Sequence, residues 1–277
     1  MIAMPSRPHR FVVVLAAALA SQTGCGDREK SAAATSAPPP PTTAGRDAAP
    51  VAPPPLAPID ATLKQHMQEH FASITEVQRA VVRSDLPAAQ AAARYLAEHV
   101  EHEALDGWGP HVAAVRQAAE RVVHAADVPA AGLAAAALGR TCARCHHARS
   151  AIVAFAWEPE PEADASLVAQ MRRHQWAAAR LWDGLVGPSD QLWTEGAAAL
   201  AAANLDQVAA QAKAGAADIT RWATRVRELA RRAGTLTDDD ARAELYGQLL
   251  EACASCHQVA RDPARGLAPP APAPAGP

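Results

Sequence analysis

The chain repeats itself. TCARCHH at residues 141–147 returns as ACASCHQ at 252–258, so Cys142 falls on Cys253, an offset of 111. The same offset carries Val115-Arg116 onto Val226-Arg227, Asp127 onto Asp238 and Leu138 onto Leu249. Nearer the start of each copy the offset is 104, where Met67-x-x-His70 falls on Met171-x-x-His174. The missing seven residues are loop and second-helix length. Whatever one copy folds into, the chain must build twice.

Each copy reads as helices. Ala dominates a composition that is 49% hydrophobic but only 4% aromatic, and Ala is the strongest helix former. Helix signals divide the first copy into residues 60–83, 86–103, 110–126 and 129–155, and the second into 164–186, 190–203, 216–233 and 238–261. Asp85-Leu86-Pro87, Gly107-Trp108-Gly109-Pro110, Asp127-Val128-Pro129 and Gly187-Pro188 mark the breaks. Short links favour antiparallel neighbours. The expectation is all-α, with two tandem up-down four-helix bundles at 58–156 and 164–262 joined by a linker at 157–163.

The ends read differently. Arg7 and Arg10 precede the apolar run FVVVLAAALA at 11–20, which is the pattern of an export signal and too short for a membrane span. Ala18-Leu19-Ala20 offers cleavage to a soluble secreted form. QTGC at 22–25 resembles a bacterial lipoprotein signal, with residues 1–24 removed and Cys25 lipidated, and this reading is preferred. A lone thiol is a liability in an oxidising compartment, and residues 25–57 are Ala/Pro-rich and read as a tether. Residues 263–277 are a Pro-rich tail of the same kind. The expected location is the periplasm or cell envelope, on a lipid anchor in a bacterial membrane.

Of five cysteines, all but Cys25 belong to the two C-x-x-C-H motifs. C-x-x-C-H on a helix is the signature of covalent haem attachment. The two thiols add across the haem vinyl groups as thioethers, and the adjacent His lies under the iron. Cys142, Cys145 and His146 are expected to hold one haem c, and Cys253, Cys256 and His257 a second. A redox dithiol would sit in a βαβ context, which is missing from this sequence. A single zinc site would have to join pairs 111 residues apart and would leave each His unexplained.

A four-helix unit with its haem motif on the last helix resembles the class II cytochromes c, the cytochrome c′ family. The resemblance covers each half separately and most of residues 60–261. An Arg often stands four residues after the haem His in that family. Arg261 matches, whereas Ser150 holds the position in the first half. The resemblance implies that the first helix of each unit passes over the haem and decides between electron transfer and gas binding.

Those first helices carry matching seams. Leu63, Met67, His70, Ile74, Val77 and Val81 step as Leu167, Met171, His174, Ala178, Leu181 and Leu185 do, which puts each set on one buried face. His70 and His174 are the preferred sixth iron ligands, because an imidazole on a core seam needs a partner. Met67 and Met171 are the alternative pair, since Met is at home in a core without one. An open sixth position is the third possibility. Arg116 and Arg227 are read either as partners for haem propionates or as solvated helix-face residues.

The expected function is one-electron transport with redox partner proteins of the cell envelope. The alternative is a gas-binding or sensing protein with an open iron. No catalytic triad, phosphate loop or nucleic-acid motif appears in the sequence, and the net charge of −3 gives nucleic acid no bulk attraction. The chain is read as a non-enzyme.

Overall fold

A computed structural model describes residues 61–98, 107–162, 164, 166–212 and 215–262. The expected signal at 1–24, Cys25, the tether at 25–57 and the tail at 263–277 lie outside them, as do His99 and His102. Among the described residues every regular element is an α-helix. They are α1 (Ala61–Val82), α2 (Leu86–Glu98), α3 (Gly109–Val123), α4 (Val128–Ala148), α5 (Leu167–Val186), α6 (Asp190–Ala202), α7 (Asp206–Gln211), α8 (Ala216–Ala233) and α9 (Asp239–Arg261). None of the described helices is long and apolar enough to cross a membrane.

The duplication shows in the helix starts. Asp85 accepts a hydrogen bond from the Ala88 N–H at 3.1 Å and opens α2. Ser189, the matching residue, accepts from the Leu192 N–H at 3.3 Å and opens α6. Asp127 caps α4 by accepting from Ala130 at 2.8 Å, and Asp238 caps α9 by accepting from Ala241 at 2.8 Å. Each cap satisfies one of the amide donors that a helix start leaves without an intrahelical partner.

Two elements depart most from expectation. α4 stops at Ala148 rather than running to 155. Ser150 adopts a left-handed φ of 51°, with its N–H on the His147 carbonyl and the Ala151 N–H on the His146 carbonyl. That is a Schellman ending, which closes a helix at this residue. The short helix α7 was not expected. It starts where the Asn204 side chain accepts from the Asp206 N–H.

The two halves share one apolar core rather than standing apart as separate bundles. Val77, Val81, Leu138, Leu181, Leu229 and Leu249 all lie in it, each at most 1% exposed. α4 and α9 pack antiparallel along their length. A Cβ on Gly247 would meet Leu133, while Arg140 and Arg144 pair with Asp240, and His147 with Asp239 at 3.1 Å. α1 runs the same way as α9: Gln78 donates to Tyr246, and Ser84 to the Ala254 carbonyl. Each fully buried aliphatic side chain contributes roughly 1.5–3 kcal/mol, so this junction stabilises both halves at once.

Candidate functional site

At the C-terminal end of each motif helix, residues spaced i, i+3 and i+4 share one face. Cys142, Cys145 and His146 therefore project together from α4, and Cys253, Cys256 and His257 from α9. All four of these cysteines are free thiols. Burial pushes the Cys142 and Cys253 thiols up to about 12 and Cys256 up to about 11. Cys145 is raised for the same reason. A reactive dithiol needs the opposite, a thiol lowered toward neutrality.

The imidazoles are held by backbone. His146 Nδ1 lies 2.9 Å from the Val186 carbonyl oxygen, and His257 Nδ1 lies 3.1 Å from that of Val82. A carbonyl only accepts, so Nδ1 carries the proton in both rings. The lone pair of each neutral ring is then on Nε2. Burial lowers the pKa of both histidines and favours that neutral form.

These acceptors exist because of how the helices end. At the end of α1, Ser84 takes a left-handed φ of 54°, with its N–H on Val81 O and the Asp85 N–H on Ala80 O. The last two carbonyls, Val82 and Arg83, point onward without intrahelical donors. His257 takes the first, and the Arg261 guanidinium donates to the second. α5 ends at Gly187-Pro188, which leaves Val186 O for His146.

The seam residues divide along each first helix. Ile74, Val77 and Val81 are buried, as are Leu181 and Leu185, while Leu63, Met67, Leu167, Met171 and Ala178 are half-buried. His174 is buried, and among the described residues its Nδ1 has no hydrogen-bond partner. Burial, and to a lesser degree the neighbouring His257, lower its pKa to about 4. The second motif and its expected partner are thus close. His70 is half-buried, with its ring 4.1 Å from that of His66 and 6.4 Å from that of Tyr95. Gly132 of α4 faces Val81, and the two helices run in opposite directions. At about 1.5 Å per residue, His70 then lies level with the first motif.

The two sites are not copies. His66 and Tyr95 correspond to Gln170 and Ala199 in the second half. Arg149 stacks over Trp108 at 5.0 Å beside the first motif, whereas Arg261 grips α1 beside the second. Arg227 is engaged with Asp206 at 2.9 Å. Antiparallel packing also puts the motifs at opposite ends of the α4–α9 pair, about 25 Å apart along its axis.

No family model matches the chain, and no curated protein or solved structure does either.

Proposed function

We propose that this chain is an exported c-type cytochrome that holds two covalent haems and carries single electrons in the cell envelope. In this reading each half follows the cytochrome c′-like four-helix plan in tandem, and Cys25 carries a lipid that keeps the protein on a membrane. Redox proteins of the envelope are its partners.

The observation that carries the reading is the state of the two motif histidines. Each presents a neutral Nε2 lone pair, fixed by an Nδ1–H on a backbone carbonyl, beside two protonated thiols on the same helix face. That donor set fits a haem: thiols for the vinyl groups, and an oriented imidazole for the iron. Bound haem supplies the one-electron couple. Cys142, Cys145, Cys253 and Cys256 would fix its position, and His146 and His257 would supply the imidazoles for its iron. The buried, unpartnered Nδ1 of His174 fits a sixth ligand at the second site. His70 is the corresponding candidate at the first, with Met67 and Met171 the alternatives.

A second reading has support at the first site alone. There His70 is half-buried against His66 and Tyr95, so this iron is the better candidate for binding gas.

The test is the absorption spectrum of the full chain, made in a host with cytochrome c assembly. It is recorded after dithionite reduction, before and after carbon monoxide. Sharp low-spin bands that ignore the gas support the carrier. A high-spin spectrum that shifts fully gives the gas-binding reading. A chain with no covalent haem overturns both.

A further inference from the structure

The two imidazole hydrogen bonds cross between the halves. His146 belongs to the first copy but rests on Val186 of the second, and His257 of the second rests on Val82 of the first. The offsets that relate the copies carry one bond onto the other: Val82 onto Val186, and His146 onto His257. A chance contact would not be made twice at equivalent residues with the same ring nitrogen and the same kind of acceptor. Both acceptors are terminal helix carbonyls, which are left over by the way the helix ends.

We propose that each half of the chain positions the iron-binding histidine of the other, through the last carbonyl of its first helix. The end of α5 sets the ring plane and tautomer of His146, and the end of α1 sets those of His257. Val82 and Val186 are thus positioning residues that act through their backbone. The hydrogen bond also feeds electron density to the ring, and an imidazole so held is a more basic ligand. Loosening one helix end should therefore raise the potential of the haem attached to the other half. In its bearing on potential, the proposal rests on the haem reading above.

Arg261 strengthens one arm. It clamps the Arg83 carbonyl next to the one that His257 uses, while Ser150 stands at its matching position. The hold on His257 is therefore double and that on His146 single.

The crossing is read without disturbing the fold. The reduced full-length protein is labelled with 15N in His and 13C in the Val carbonyl, and dipolar contacts to the two motif rings are measured by solid-state NMR. Two short contacts are expected. V82A removes the label but keeps the carbonyl, and should erase the His257 contact alone. V186A should erase the His146 contact alone. If either variant erases the contact of its own half, or if neither ring shows one, the proposal is overturned. This readout does not depend on haem, so it separates failure of the crossing from failure of the haem reading.

The effect on the metal is tested with proline. Proline disfavours a helical conformation in the residue before it, so R83P turns the Val82 carbonyl away, and G187P does the same for Val186. In a C142A/C145A background that keeps the second haem, R83P should raise the midpoint potential and G187P should leave it unchanged. The reverse pattern, or equal shifts from both, would show that the bond does not act across the halves.

Discussion

The ring of Trp182 stacks on that of Tyr246, with centroids 5.6 Å apart and planes 26° from parallel. Trp182 lies on α5 and Tyr246 on α9. The pair reaches into the first half as well, because Trp182 Nε1–H donates to Thr75 Oγ1 and Gln78 Nε2–H to Tyr246 Oη. Gly139 on α4 makes the room, since a Cβ there would sit 3.0 Å from the indole. Four helices from both copies thus meet at one buried aromatic pair.

Stability should accordingly be shared. W182A should lower the unfolding free energy by about 3–5 kcal/mol, as for other buried aromatic truncations. Y246F removes a hydroxyl that accepts from Gln78 and donates to the Ala178 carbonyl, at a cost of about 1–2 kcal/mol. In both variants, urea unfolding followed by circular dichroism should remain a single transition. A second transition, with one half still melting at the wild-type midpoint, would show that the halves fold independently.

The caps on the motif helices should be equivalent. D127A and D238A each remove a side-chain acceptor at 2.8 Å from a helix-start amide. Each should cost about 1 kcal/mol. They sit at opposite ends of the α4–α9 pair, so the double variant should cost the sum of the two. Denaturant midpoints of the three variants check this, and a double variant no worse than either single one would refute it.

Asp183 should give the protein a pH signature. Burial raises its carboxyl to about 6, with Arg180 at 3.4 Å pulling it down and Glu158 adding to the rise. The folded state therefore holds this proton more tightly than the unfolded chain. The resulting stability is fully present below the unfolded value near 3.8 and is lost as the pH rises through about 6. The difference in unfolding free energy, wild type minus D183N, should fall between about pH 4 and pH 6 and level off above. A difference that is flat or rises over this range would mean that the carboxyl is not raised.

The sixth-ligand candidates should differ in what their loss does. In the haem-loaded protein, H174A should open the second iron, so that one of the two haems binds carbon monoxide after reduction. H70A should have a smaller effect, because His66 and Tyr95 remain beside the vacated position. Carbon monoxide titrations of the reduced variants measure this. An H174A protein that binds no gas removes His174 as a ligand and leaves Met171 as the alternative.

Much of this was legible because local chemistry carries it. The breaks at Asp85, Asp127-Val128-Pro129 and Gly187-Pro188, and the i, i+3, i+4 face of each motif, depend on neighbours in sequence. The early end of α4 was not legible, since nothing in RSAIVAF at 149–155 marks Ser150 as the residue that turns left-handed. The partner of each apolar face was not legible either. Periodicity shows that Leu138 and Leu249 are core residues, but an Ala-rich face with Gly132, Gly139 and Gly247 admits more than one neighbouring helix. The hydrogen bonds from His146 and His257 follow from that choice of neighbour, so no sequence pattern announced them.

The crossed bonds have the form of an isologous contact, in which one surface meets its own copy about a two-fold axis. In a homodimer such a contact ties both sites to one sequence, because every substitution is made twice. Joining the copies through residues 149–166 releases that constraint while keeping the geometry. Gln170 opposite His66, Ala199 opposite Tyr95 and Ser150 opposite Arg261 are departures that only a covalent pair could accumulate one side at a time. One chain can therefore keep a symmetric frame and still give its two ends different jobs.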